Sequence, residues 1–214
     1  LAFCNNSGPA FILGAVGAGI FQNARAGVLL YLSHVLASVT VGFIFRFYKP
    51  ESRAQKTSIS GQFSFIRTSS AFLEAVKNSF ASVLNVCAFV IFFSVAIKML
   101  SLFQLIPSLA WLFSKLLSPL GFHAIWAEQM LSGFVEVTSG LWSLSQINAA
   151  ISPKLAMAAF MLGWAGISVH CQVLSFLGDS DLSVVPYLSG KLLQMANGAV
   201  YDENSKAHPI MTVN

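Results

Sequence analysis

The chain has 214 residues, 56% of them hydrophobic and only 9% charged, with 12 Lys and Arg against 8 Asp and Glu and a net charge of +4. An average soluble domain carries roughly 25% charged residues, so this composition cannot cover a water-facing surface and excludes an ordinary soluble enzyme. It specifies an all-α polytopic membrane protein, with the lipid bilayer as its surroundings.

A single membrane domain is expected over 1–214, in six parts. The first, 1–48, is a broken helix followed by a clean span. Residues 1–21 are apolar but carry Asn5-Asn-Ser-Gly-Pro9 where a membrane helix should be most apolar. Proline removes a backbone donor and glycine loosens the helix, so carbonyls and amides are freed at that point. Residues 22–25 form a short polar connector, and 26–47 are long enough to cross about 30 Å of hydrocarbon. The chain opens on Leu with residues that already have mid-membrane character, so further spans are expected upstream.

Residues 49–68 read as a polar linker. Arg46, Lys49, Arg53 and Lys56 lie in or beside it, joined by Arg67 and Lys77. Lys and Arg clustered next to a span mark the cytoplasmic side, and their place beside a long apolar stretch argues against a nucleic-acid patch. Residues 69–105 exceed one span; 71–80 have a charged and an apolar face, predicting an interfacial helix that leads into a span at 82–104. In 106–120, Pro107, Trp111, Lys115 and Pro119 make an interfacial pattern.

Residues 121–151 read as a re-entrant hairpin. Two apolar halves, each too short to cross alone, flank the polar turn Gly133-Phe-Val-Glu-Val-Thr-Ser-Gly140. Such backbone is tolerated at membrane depth where it is buried in protein or lines a wet cavity. Residues 154–201 are a second broken helix, interrupted near Gly163 and Gly166, plus a last, more amphipathic span. A polar tail follows at 202–214.

The two broken segments form a pair. Tyr31-Leu-Ser33 and Tyr187-Leu-Ser189 match at an offset of 156, which lays the first break on Leu162-Gly-Trp-Ala165. With the basic loop cytoplasmic, 1–21 runs outward and 154–177 inward, so the pattern predicts an inverted repeat. Paired, Gly/Pro-interrupted segments in two halves point to a transporter's binding site.

Chemistry-bearing residues gather at three places. Asn5, Asn6 and Ser7 mark the first break, as ligands or as helix-bridging hydrogen bonders. Glu136, with Thr138 and Ser139, marks the hairpin turn; a mid-membrane carboxylate is costly and functional by default, the alternative being a cap at the tip. Ser168, His170 and Gln172 follow the second break, spaced to line one side of an unwound stretch, with His170 equally readable as a satisfied buried imidazole. Glu128 is a weaker candidate nearer the hairpin entrance. Asp179 and Asp181 read as a solvated turn, and His34 and His123 as interfacial. Cys4, Cys87 and Cys171 read as packing residues. The run Gly14-Ala-Val-Gly-Ala-Gly19 reads as a helix-packing face, and no metal-ligand spacing is present.

Cys4-Asn-Asn-Ser-Gly-Pro9, the glycines after it, Gly133-Phe-Val-Glu-Val-Thr-Ser-Gly140 and Gly166-Ile-Ser-Val-His-Cys-Gln172 together resemble the YlbJ-type sporulation integral membrane proteins. That family belongs to the nucleoside-recognition or gate-domain superfamily, and the resemblance covers the whole chain. More distantly, the layout is similar to the core of concentrative nucleoside transporters, though their first hairpin has no counterpart here and their hairpin signatures are not closely copied. The resemblance implies a place for Glu136 and Thr138 at an acidic hairpin tip, for residues 5–7 in one broken helix and for 168–172 in the other. It further implies a role in endospore formation, in the cell or forespore membrane, with transport of a small polar or anionic metabolite such as dipicolinate.

The expected activity is therefore that of a secondary transporter core rather than an enzyme, with no cofactor and with Na⁺ or H⁺ as coupling ion. Its partners are a small-molecule substrate and the bilayer, with no nucleic acid; homo-oligomerisation stays open. The alternatives are a gate or ion-conducting module akin to ferrous-iron transport gates, or nucleoside transport.

Overall fold

The computed structural model describes residues 5–47, 68–120, 122, 124–177 and 184–205. The expectations for Cys4, for the linker up to residue 67, for His123, and for Asp179 and Asp181 lie outside the described residues. Within them every regular element is a helix. Three stretches are long and apolar enough to cross a membrane: Ala24–Phe45, Ser70–Leu102 and Ile151–Ser175.

An eleven-residue π-helix, Ala10–Ile20, starts directly after Gly8-Pro9. Asn23 then caps α1 (Ala24–Phe45), its side chain accepting from the Ala26 amide at 3.1 Å, which satisfies a donor the first turn would leave free. Of the Gly14 to Gly19 run, Gly17 meets a neighbouring element, closing against Gly27 of α1, while Gly14 faces open space.

α2 (Thr68–Leu102) is one continuous helix of 35 residues, about 50 Å long at 1.5 Å per residue. The interfacial stretch and the span expected in 69–105 are joined with no break in the helix. The reason lies in the sequence: no Gly or Pro falls between Thr68 and Leu102, and the Ser79 and Ser82 hydroxyls bond back to the Ala75 and Asn78 carbonyls at 2.8 Å instead of breaking the ladder. Gln104, in the left-handed region at φ 59°, turns the chain into α3 (Leu105–Leu117), where the Lys115 ammonium lies 4.1 Å over the Trp111 ring.

α4 (Ala127–Val135) and α5 (Val137–Ser145) are nine residues each, hinged at Glu136 alone. The polar turn expected over eight residues contracts to one, because α5 resumes as soon as Glu136 has capped it. The helices fold back so closely that a Cβ on Gly140 would collide with the Gly133 backbone. α6 (Ile151–Trp164) and α7 (Ile167–Leu177) are separated by Ala165 and Gly166. α8 (Val184–Ser205) runs four residues into the expected tail.

The core forms where the π-helix, α1, α5 and α6 meet, through Ile12, Val16, Leu30, Leu141, Leu144 and Leu162. α8 packs most extensively on α6 and α1. An added Cβ at Gly163 would lie 2.6 Å from Met195 Cα and 2.8 Å from the Gln194 carbonyl, so α6 and α8 touch backbone to backbone, as small residues allow in membrane helices. α2 stands apart: its most apolar stretch is only 6% buried.

Candidate functional site

Residues 5–8 are non-helical, and Pro9 sits at the N-cap of the π-helix. The Gly8 carbonyl accepts from the Phe11 and Ile12 amides at the start of the π-helix, while Asn5 and Asn6 reach across to α8. The Asn5 carbonyl accepts from Lys191 Nζ at 2.6 Å, and its side-chain amide donates to the Tyr187 hydroxyl at 3.2 Å. Asn6 Oδ1 accepts from Gln194 Nε2 at 2.7 Å. Gln194 Oε1 in turn accepts from Lys191 at 3.0 Å. Tyr187, Lys191 and Gln194 stand at i, i+4 and i+7, so a single face of α8 meets the break.

Lys191 is 0% exposed. Its ammonium is held by two neutral carbonyl oxygens, and among the described residues no carboxylate lies within ion-pair distance of it. Removing a charge from water costs several kcal/mol unless it is paired, and an intramembrane ionisable residue marks a functional site by default. Two imidazoles, His34 of α1 and His170 of α7, lie within electrostatic reach of it.

The second break is built differently. Ala165 (φ 74°) and Gly166 (φ 86°) are both left-handed, a conformation that strains a residue with a Cβ. A Cβ on Gly166 would stand 3.1 Å from the Val137 amide and 3.2 Å from the Val135 carbonyl, so the break is pressed against the hairpin tip. On its N-terminal side the Trp164 indole N–H donates to the Phe134 carbonyl at 3.0 Å, and the two rings stack with centroids 4.5 Å apart. Trp164 also meets His170 edge-on at 4.3 Å. His170 Nδ1 lies 2.9 Å from the Tyr187 hydroxyl. A continuous chain of contacts thus runs from the hairpin tip through Trp164, His170 and Tyr187 to Asn5 and Lys191.

Glu136 is 1% exposed. Its two carboxylate oxygens accept from the Thr138 amide at 2.9 Å and the Ser139 amide at 2.6 Å, which makes it the N-cap of α5, where the helix dipole favours an anion. The Ser139 hydroxyl lies 2.9 Å from that of Ser94, tying the hairpin to α2. Ser7 is half-buried beside the first break, and Glu128 is exposed in the first turn of α4.

Ser168, His170 and Gln172 do not line an unwound stretch. α7 is helical from Ile167, so Ser168 and Gln172, four apart, share one face while His170 points to another side. Ser168 Oγ, Gln172 Nε2, His170 Nε2 and His34 Nε2 are buried polar atoms with no partner among the described residues. Such orphans are rare and call for an explanation. His34, read as interfacial, is 4% exposed; the helix carrying it is covered by α8. No group of His, Cys, Asp and Glu among the described residues is arranged to hold a metal.

Tyr187, Lys191 and Gln194 are the residues that the sequence reading missed as chemistry. Their i, i+4, i+7 spacing is the available signal, and in the sequence Tyr187 stands out only as a marker of the repeat.

No protein-family model matches the chain, and no solved structure matches it. Among characterised proteins it is 32% identical over 217 residues to the sporulation integral membrane protein YlbJ of Bacillus subtilis (strain 168). The alignment takes in 94% of the chain and 53% of that protein, so the chain spans about half the length of its relative.

Proposed function

Starting from a chain that is an integral membrane homologue of a sporulation protein, we propose that it forms the substrate-handling core of a secondary transporter for a small anionic metabolite, acting in endospore formation. The observation that carries this reading is the buried Lys191 ammonium, placed where a helix break meets α8 and joined by contacts to the second break and the hairpin tip. A positive charge with no carboxylate partner among the described residues favours an anionic cargo, and the orphaned His34 and His170 nitrogens supply further polar contacts. Dipicolinate, small and doubly anionic, is the candidate cargo. Discontinuous helices that expose polar backbone at one depth are the usual construction of such sites. In this reading the π-helix with α1, and α6–α7 with α8, are the two inverted units, and they move apart to admit cargo.

The test is uptake of dipicolinate by liposomes containing the full-length protein. Lys191→Met removes two charge-assisted hydrogen bonds, and with about 1.5–3 kcal/mol for each such bond uptake falls by about a hundredfold or more. Wild-type liposomes that accumulate no dipicolinate, or a Lys191→Met protein that keeps full uptake, sink this reading. Ion currents without solute uptake would replace it with a gate.

A further inference from the structure

A cation bound at a helix break is ordinarily held by unwound backbone carbonyls together with side-chain oxygens. Here the atom in that position belongs to the protein: Lys191 Nζ takes the Asn5 backbone carbonyl at 2.6 Å and the Gln194 side-chain carbonyl at 3.0 Å. We propose that Lys191 is a built-in coupling cation, so that the transporter is driven by binding and release of one proton at Nζ and needs no Na⁺. This deepens the transport reading and rests on it, because it assumes that the first break separates from α8 during the cycle.

The geometry supports this in three ways. First, the ammonium fastens the break to α8. Asn5 and Asn6 reach α8 through Tyr187, Lys191 and Gln194, and the bonds to Nζ are the charge-assisted ones, roughly twice as strong as neutral bonds. Loss of the proton to water leaves a neutral amine and weakens that fastening. Second, the groups facing Nζ do not neutralise it. Asn5 from the break, His34 from α1, His170 from α7, and Tyr187 and Gln194 from α8 include no carboxylate. Third, an ammonium uses three donors and the described residues accept two of them, leaving one for an anionic cargo. One proton then does two jobs: it closes the break and supplies the charge that the anion needs, so proton and anion travel together.

The test needs no cargo. A bimane fluorophore is attached at Ser7→Cys in full-length protein otherwise free of cysteine, and its quenching by iodide is followed from about pH 6 to about pH 11, a range that brackets the ordinary lysine value, in NaCl and in choline chloride. The wild-type break is shielded at neutral pH equally in both salts, and the open-to-closed ratio rises about tenfold towards alkaline pH as charged bonds become neutral ones. Lys191→Met is open at every pH. Lys191→Ala is open and is closed again by methylammonium. Quenching that does not change with pH in the wild-type lysine protein, or shielding that requires Na⁺, overturns the proposal; both are read on unsubstituted Lys191, so a misfolded variant does not obscure them. Absent dipicolinate uptake with this pH response intact rejects the transport reading alone, and uptake with a flat response rejects proton coupling alone.

Discussion

The first break and α2 hold polar side chains in opposite ways. In α2 the Ser79 and Ser82 hydroxyls bond to carbonyls one turn back on their own helix, while Phe72, Phe80, Ile91 and Phe92 stand exposed around them. In the break, Gly8-Pro9 removes that option, and Asn5 and Asn6 bond instead to residues more than 180 positions away. Similar residue types are therefore neutral on an intact helix and site-forming where the backbone has lost its own partners. Polarity becomes chemistry in this chain through what the backbone next to it does.

The largest effect that would break this contrast is in the packed half. Gly163→Val places carbon atoms into the backbone of Met195 and Gln194, and overpacking that cannot be relieved by a rotamer change should cost at least about 3 kcal/mol. Loss of monodisperse protein, or a much lower melting temperature, is the expected result. A variant that melts like wild type would mean that α6 and α8 do not touch as closely as described.

A smaller effect sharpens the role of the hairpin. Glu136→Gln keeps one acceptor for the α5 amides but turns an NH₂ group towards the other. A lost cap costs about 0.5–2 kcal/mol, so the melting temperature should fall modestly, and uptake per folded molecule should stay within about tenfold of wild type. Uptake abolished in a protein of unchanged stability would instead put the carboxylate in contact with cargo, as its place in the sequence suggested.

The helix start at Gly8-Pro9 and the interruption at Ala165-Gly166 are legible because glycine and proline act locally. Gly8-Pro9 stops the ladder wherever it stands, and Gly166 tolerates φ 86° whatever surrounds it. The hairpin was legible from the length of its halves, though not its one-residue hinge, since helix resumption after Glu136 depends on cap geometry that spacing alone does not reveal. Along α2 the amphipathicity changes, but a change of face is no helix breaker. Lys191 is hidden in the sequence for a different reason. On α8 it looks like one polar position of an amphipathic span, and its burial depends on a carbonyl of Asn5, a partner that no local pattern names. The half of the site set by local backbone chemistry was readable; the half set by long-range contact was not.

The smallest effect tests the exposed half. Leu84 on α2 is 65% exposed, and no proline or glycine disturbs the helix on either side of it. If lipid alone covers this face, Leu84→Ala exchanges one good helix former for a better one and removes little protein contact. The melting temperature in nanodiscs should then shift by no more than about 0.5 kcal/mol allows, with the particle mass unchanged. A loss of about 2 kcal/mol or more is the range of a buried leucine truncation. Such a loss, or a drop in particle mass, would mean that this face of α2 is an interface with protein. In that case the two regions would differ not in whether their side chains are buried by protein, but in whether the burying surface belongs to the residues described.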